Sequence, residues 1–343
     1  MRKLLNTLHV TTQSAYVHRD GETISVKIGN EVRLRLPVHT IESLVCYGQV
    51  TCSPFVLALC CERGVGVSLM TENGRFLARV TGPVSGNVLL RRQQFRAADS
   101  ASAALPIVTA LVAAKIANSR LVLLRGARET SDEERQRKLR AKADHLRHIG
   151  SAMARVATID EARGYEGVAA QDYFAVFNEL IGGDREEFHF NGRSRRPPLD
   201  RTNAMLSFVY ALLRHDIESA LESVGLDPAV GFLHTDRPGR PSLALDMMEE
   251  MRPHLADRLV LTLVNRRQIQ PSGFTTEDGG GITMDDVTRK EIISAWQRRK
   301  QEEIEHPFLQ ENIPIGLIPY VQALLLARHL RGGLEVYPAF FWR

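Results

Sequence analysis

Over the first eighty residues, apolar and polar positions alternate with a period of two in several short runs, the pattern of half-buried strands. Residues 16–18 and 23–28 are two such runs, joined by Arg19-Asp20-Gly21-Glu22, which reads as a turn. Residues 32–38 alternate cleanly and place Arg33 and Arg35 on a solvent face. Residues 65–70 and 76–80 form a further pair about a turn at Glu72-Asn73-Gly74. Residues 54–63 break the pattern as one small helix, with a start at Ser53-Pro54 and a stop at Gly64. After the turn-rich segment Gly82-Pro83-Val84-Ser85-Gly86-Asn87, the apolar spacing lengthens to the helical period at 115–124, 131–149, 167–180 and 203–213. The pattern predicts an α+β chain. A β-rich domain occupies residues 1–86 and an all-helical domain residues 87–343, with an exposed hairpin or loop at 271–286.

Composition changes this picture only slightly. The chain has 343 residues, 44% of them hydrophobic and 24% charged, which is ordinary for a globular protein with a sizeable core. Met1-Arg2-Lys3 is not followed by an apolar stretch of signal-peptide length, and no uninterrupted apolar run reaches the ~18–20 residues of a membrane span. No membrane partner is expected. The cysteines, Cys46, Cys52, Cys60 and Cys61, lack C-x-x-C spacing and read as small core side chains, in keeping with a reducing cytoplasm. The net charge of +4 is a mild pointer to a polyanion. Basic residues concentrate in the helix at 131–149 (Arg135, Arg137, Lys138, Arg140, Lys142 and Arg147), where a merely solvated face is the simpler reading and a phosphate-tracking surface the alternative.

Four side chains could carry chemistry. Glu166 is expected at the opening of a helix, where a carboxylate also serves the helix dipole. His234 follows Val230-Gly231-Phe232-Leu233 at the edge of a loop, a position that also suits a structural histidine. Beyond Pro241-Ser242 a helix begins in which Asp246, Glu249 and Arg252 recur every third residue along one face, beside Leu245, Met248 and Met251. Acidic groups next to core residues are costly to bury unless a cation or hydrogen-bond donors compensate. Carboxylates with an imidazole suit Mg2+ or Mn2+, and the absence of thiolates makes a structural zinc site a poor fit. No P-loop, G-x-G-x-x-G, G-x-S-x-G or H-E-x-x-H pattern favours another chemistry. On pattern alone, all four groups remain candidate ligands.

Larger stretches are more specific. Arg163-Gly164-Tyr165-Glu166-Gly167 and its continuation to 174, the segments 195–207 and 225–234, and the run 237–249 resemble the universal CRISPR-associated endonuclease and integrase of spacer acquisition. The resemblance covers essentially the whole chain, and the ending at 333–342 resembles the subtype I-C branch. It implies a β-domain that forms a homodimer and a helical catalytic domain. It also implies that Glu166, His234 and Glu249 hold the metal, with Asp246 in support and Arg163 and Arg252 as candidates for phosphate contacts. The implied partners are double-stranded and branched DNA and a small ferredoxin-like CRISPR-associated protein bridging two dimers, with room for a trimming nuclease. The implied reaction is attack of a DNA 3′-hydroxyl on a phosphodiester. A non-catalytic DNA-holding scaffold and a metal-dependent RNA nuclease are the alternatives.

Overall fold

The structure is a computed structural model and describes residues 6–72, 76–80, 82 and 88–342. Most of the expected turn at Glu72-Asn73-Gly74 and of the boundary segment 82–87 lies outside these residues. The strand-rich region comprises β1 (Asn6–Val10), β2 (Ala15–Asp20), β3 (Thr23–Ile28), β4 (Glu31–Pro37), β5 (Ile41–Tyr47), β6 (Thr51–Cys52), helix α1 (Pro54–Arg63), β7 (Gly66–Met70) and β8 (Phe76–Val80). Two four-stranded sheets result, ordered β1-β5-β7-β8 and β4-β3-β2-β6. The first is parallel except at β7–β8; in the second, only the short β2–β6 pairing is parallel. Strand β4 lies at an edge, so Val32 and Leu34 are exposed along with Arg33 and Arg35.

Strand β5 was not legible as a strand because it is buried on both faces and shows no alternation. Leu44 and Cys46 enter the core of the strand-rich region with Val17, Ile24, Val56, Leu59 and Val67. Val45 and Tyr47 point the other way, into the larger core of the helices. None of the four cysteines is in a disulfide, and Cys46 and Cys60 are buried as expected.

The remainder carries α2 (Val88–Ala98), α3 (Ala101–Glu129), α4 (Glu133–Ala152), α5 (Ile159–Ala175), α6 (Arg201–Val224), α7 (Ser242–Arg252), a π-helical turn (Pro253–Asp257), α8 (Arg258–Asn265), β9 (Phe274–Thr276), β10 (Ile282–Met284), α9 (Asp286–Gln301), β11 (Glu303–His306), β12 (Glu311–Pro314) and α10 (Ile318–Leu330). It is therefore helical but not all-helical: two short antiparallel hairpins, β9–β10 and β11–β12, interrupt it. The first falls in the polar stretch expected to form a hairpin or loop. By length and composition α3 could cross a membrane, although its polar residues break up any uninterrupted apolar run. Here it is the central core helix, packed against α4, α5 and α7.

Candidate active site

Helix α5 begins seven residues before Glu166, not at it. The Thr158 hydroxyl accepts from the Glu161 N–H, and the Glu161 carboxylate accepts from the Ala157 N–H, a reciprocal cap that fixes the start at Ile159. Glu166 thus lies on an interior turn, and the dipole argument for it falls away. Its presence is explained instead by Lys115 of α3, whose ammonium contacts Glu166 Oε1 and lies 2.5 Å from Glu249 Oε2 of α7. Arg252 Nη2 takes the other oxygen of Glu249 at 3.1 Å. Three helices thereby bring two carboxylates to one lysine.

Helix α7 is buried along almost its whole length, including Asp246, Glu249 and Glu250. Burial by itself would push the Glu249 carboxyl up, but Arg252, Lys115 and His234 hold it at about 2. His234 bonds Asp246, three residues before Glu249 on α7, so the imidazole lies against the same helix.

Asp246 has no exposed surface and accepts four hydrogen bonds. Phe232 and Leu233 N–H donate to Oδ2 at 2.6 and 2.9 Å, and His234 N–H and Nδ1–H donate to Oδ1 at 3.0 and 2.6 Å. These bonds occupy the lone pairs a metal would need and leave Asp246 a supporting carboxylate. Gly231 permits the fit, since a Cβ there would lie 2.9 Å from Asp246 Oδ2 and 2.8 Å from Ser242. With Nδ1 tied down, the His234 Nε2 lone pair is the free one, and no described residue takes it. A carboxylate fixing the far nitrogen is the usual setting of a metal-binding histidine.

Among the described residues, no three His, Cys, Asp or Glu side chains close around a point in the manner of a prepared metal site. Lys115 stands between the two glutamates and screens them from each other. The donor set nevertheless fits a hard divalent ion: two carboxylates, an imidazole nitrogen, and a buried Glu249 Oε2 that makes an ion pair with Lys115 but no directed hydrogen bond.

The other candidates are more committed. Arg163 binds Asp160 and donates to the Leu233 carbonyl, anchoring the His234 loop to α5. Arg252 is largely buried, paired with Glu249 and stacked 4.8 Å from the Tyr210 ring, so it has little surface to offer a phosphate. On α4, Arg135 donates to the Glu179 and Ile181 carbonyls, Lys138 pairs with Glu134 and Lys142 pairs with Asp172. Much of that basic face is structural. Sequence reasoning missed Lys115; its one signal was a lysine in the apolar run from Ile107 to Ile116. Beside the site opens a cleft of about 740 Å³ lined by residues that include Ser102, Thr158, Arg163 and His234.

A strand-rich region docked on helices that gather carboxylates, a histidine and cations beside an open cleft defines a class of α+β proteins with an acidic candidate centre. The family described as "CRISPR associated protein Cas1" matches residues 8–298, and the chain belongs to it. It is 51% identical to "CRISPR-associated endonuclease Cas1 1" of Chlorobaculum tepidum, with both chains covered in full. Among solved structures, the fold resembles a casposase bound to integration product, with a TM-score of 0.83 and 21% identity, covering 99% of this chain and 95% of that one. It also resembles part of a Cas6-RT-Cas1–Cas2 complex, with a TM-score of 0.84 and 22% identity, covering all of this chain and 36% of that one.

Proposed function

We propose that the chain is a metal-dependent DNA endonuclease and strand-transfer integrase of the subtype I-C branch, which inserts foreign DNA fragments into a CRISPR array. The observation that carries this reading is the pairing of Glu166 and Glu249 on Lys115, with His234 held by the saturated Asp246 one turn away on α7. In this reading Glu166, His234 and Glu249 hold Mg2+ or Mn2+. When bound, such an ion supplies Lewis acidity at a phosphoryl oxygen and lowers the pKa of the attacking 3′-hydroxyl. Asp246 holds the imidazole through Nδ1 and leaves Nε2 to the metal, and Arg252 keeps Glu249 ionised. The space over Gly164 and Gly167 on α5, where a Cβ would meet nothing within 4 Å, lets a DNA strand approach Glu166 closely. Water in place of the hydroxyl gives nicking from the same site.

The strand-rich residues 1–86 serve as the homodimer element, residues 87–343 carry the chemistry, and the protein works in the cytoplasm. Its partners are double-stranded and branched DNA and, by analogy with the complex named above, a Cas2-type protein, with a trimming nuclease beside them. The scaffold alternative has one observation in its favour: Lys115 already neutralises the two glutamates, as a structural ion-pair cluster would. One experiment separates the two. Purified protein with Mn2+ is expected to join and nick labelled branched DNA, EDTA to abolish both, and Glu166→Ala, His234→Ala and Glu249→Ala to reduce turnover at least 100-fold. Unchanged activity in these variants sinks the enzymatic assignment.

A further inference from the structure

A second charged cavity, of about 410 Å³, opens at the far end of α3. Arg125 of α3, Arg258 and Arg266 of and beside α8, and Arg298 and Arg299 of α9 line it, with Glu302 the one acidic side chain in its wall. Arg125 and Lys115 are ten residues apart on one helix, about 15 Å along its axis, so this cavity is a separate station from the candidate active site.

Three of the five guanidiniums have carboxylate partners: Arg125 with Glu129, Arg298 with Glu291 and Arg299 with Glu302. Neither the Arg258 nor the Arg266 side chain has an ion-pair or hydrogen-bond partner among the described residues. The cavity therefore carries an excess of two positive charges in a small volume. Burial and the neighbouring Arg125 disfavour the Arg258 cation by more than the nearby Glu129 favours it. A guanidinium does not deprotonate in a protein, so this repulsion persists until an anion relieves it. The wall is rigid on one side: the Arg299 guanidinium lies 5.6 Å from the Trp342 ring, which stacks on His254 at 4.4 Å.

We propose that this cavity is a binding site for phosphate groups, supplied either by a nucleic-acid strand or by a free polyphosphate. Arginine forks match phosphate oxygens two at a time, and the Thr262 hydroxyl and Gln268 amide in the lining add uncharged donors. The space is far larger than a single carboxylate requires and accommodates a nucleotide-sized group. The site does not depend on the glutamates of the candidate active site, so the proposal stands or falls separately from strand transfer.

The test uses the full chain and a double variant, Arg258→Gln with Arg266→Gln, both in EDTA. Pyrophosphate at millimolar concentration is expected to raise the melting temperature of the wild type and leave that of the variant unmoved. Without anion, the variant is expected to melt at or above the wild type, because repulsion has been removed; this also reports that it folds. If a nucleic-acid strand is the source, a single-stranded DNA 15-mer binds the variant about tenfold more weakly, and the slope of log affinity against log salt falls by about one to two. A lost pyrophosphate response with unchanged DNA affinity assigns the site to a free polyphosphate. A variant that binds pyrophosphate and DNA as the wild type does, or a wild type that binds a glutamate-rich peptide but not pyrophosphate, overturns the proposal. Glu249→Gln is expected to keep the pyrophosphate response.

Discussion

Asp246 is the residue on which the His234 loop depends. Its oxygens accept from three successive backbone N–H groups and from the imidazole, so asparagine cannot replace it without setting an amide N–H₂ against at least one of those donors. A buried donor left without an acceptor costs about 1–3 kcal/mol. Asp246→Asn is therefore expected to lose stability of that order in chemical denaturation and, through the loosened imidazole, about 10–100-fold in Mn2+ affinity by calorimetry. Normal Mn2+ affinity in this variant would separate Asp246 from the site. Lys115 makes the opposite prediction. Removing one partner of a buried ion cluster costs about 3–5 kcal/mol, so Lys115→Met is expected to be destabilised without metal, as Glu166 and Glu249 then face each other with only Arg252, on Glu249, to offset them. Mn2+ should raise its melting temperature more than it raises that of the wild type. An equal or smaller rise would mean that the lysine does not compete with a cation for these carboxylates. The two residues also differ in legibility. Asp246 stands in a recognisable run of sequence, whereas Lys115 is one polar residue in an apolar helix, and only the crossing of α3 with α5 and α7 gives it partners.

Helix α7 is legible as an element because it starts at a proline–serine pair and carries periodic acidic residues, but its degree of burial is not. Besides α3 and α6, the chain's C-terminal segment covers it. Asn118, one turn beyond Lys115 on α3, donates to the Glu250 and Phe340 carbonyls and accepts from the Trp342 N–H. The Glu250 carboxylate accepts from the Tyr337 hydroxyl at 2.6 Å, the Phe340 N–H at 2.6 Å and the Gln322 amide. Adjacent residues on α7 thus serve different ends, Glu249 the candidate site and Glu250 the tail. Burial outweighs these donors and pushes the Glu250 carboxyl up from 4.5 to about 7. The folded state then holds this proton more tightly than the unfolded chain does. The associated stability is full below about pH 4.5 and is lost as pH rises to about 7, an amount on the order of 3 kcal/mol. Glu250→Gln cannot titrate, so the stability difference between wild type and variant is expected to fall by about that amount across the window, measured by denaturation at a series of pH values. A difference independent of pH would exclude a buried titration at Glu250.

At the scale of the whole molecule, the seam between the strand-rich region and the helices is polar as well as apolar. His215 of α6 is held between Ser43 of β5 at 2.6 Å and Ser68 of β7 at 2.8 Å. Arg79 of β8 reaches Glu218, Ser219 and Glu222 on α6, and His9 of β1 bonds the Tyr47 hydroxyl and the Gln297 side chain of α9. None of this could be read in advance, because each bond joins residues more than thirty positions apart, and β1 and β5 gave no periodic signal. Burial, followed by the charges of Arg79, Lys300 and Arg214, drives the His215 imidazole well below its ordinary value, and burial lowers His9 to about 3. Here the sign is the reverse of Glu250: the unfolded chain binds the proton first, so stability is full above pH 6.5 and is lost as pH falls below it. Glu250 and Asp257, both raised by burial, partly offset this loss, so the net curve of the wild type hides it. His215→Gln can still bond both serines but has no proton to gain. Between pH 7.5 and pH 5 it is expected to lose about 2 kcal/mol less stability than the wild type, since 1.5 pH units at about 1.4 kcal/mol each is the penalty for one neutral buried histidine. Heteronuclear NMR of the imidazole resonances checks the same point directly: the His215 ring should stay neutral down to the onset of unfolding. A ring that titrates near 6.5 in the folded protein would mean that the two regions are joined by the apolar contacts of Val45, Tyr47 and Met70, with the histidine contributing little to the seam.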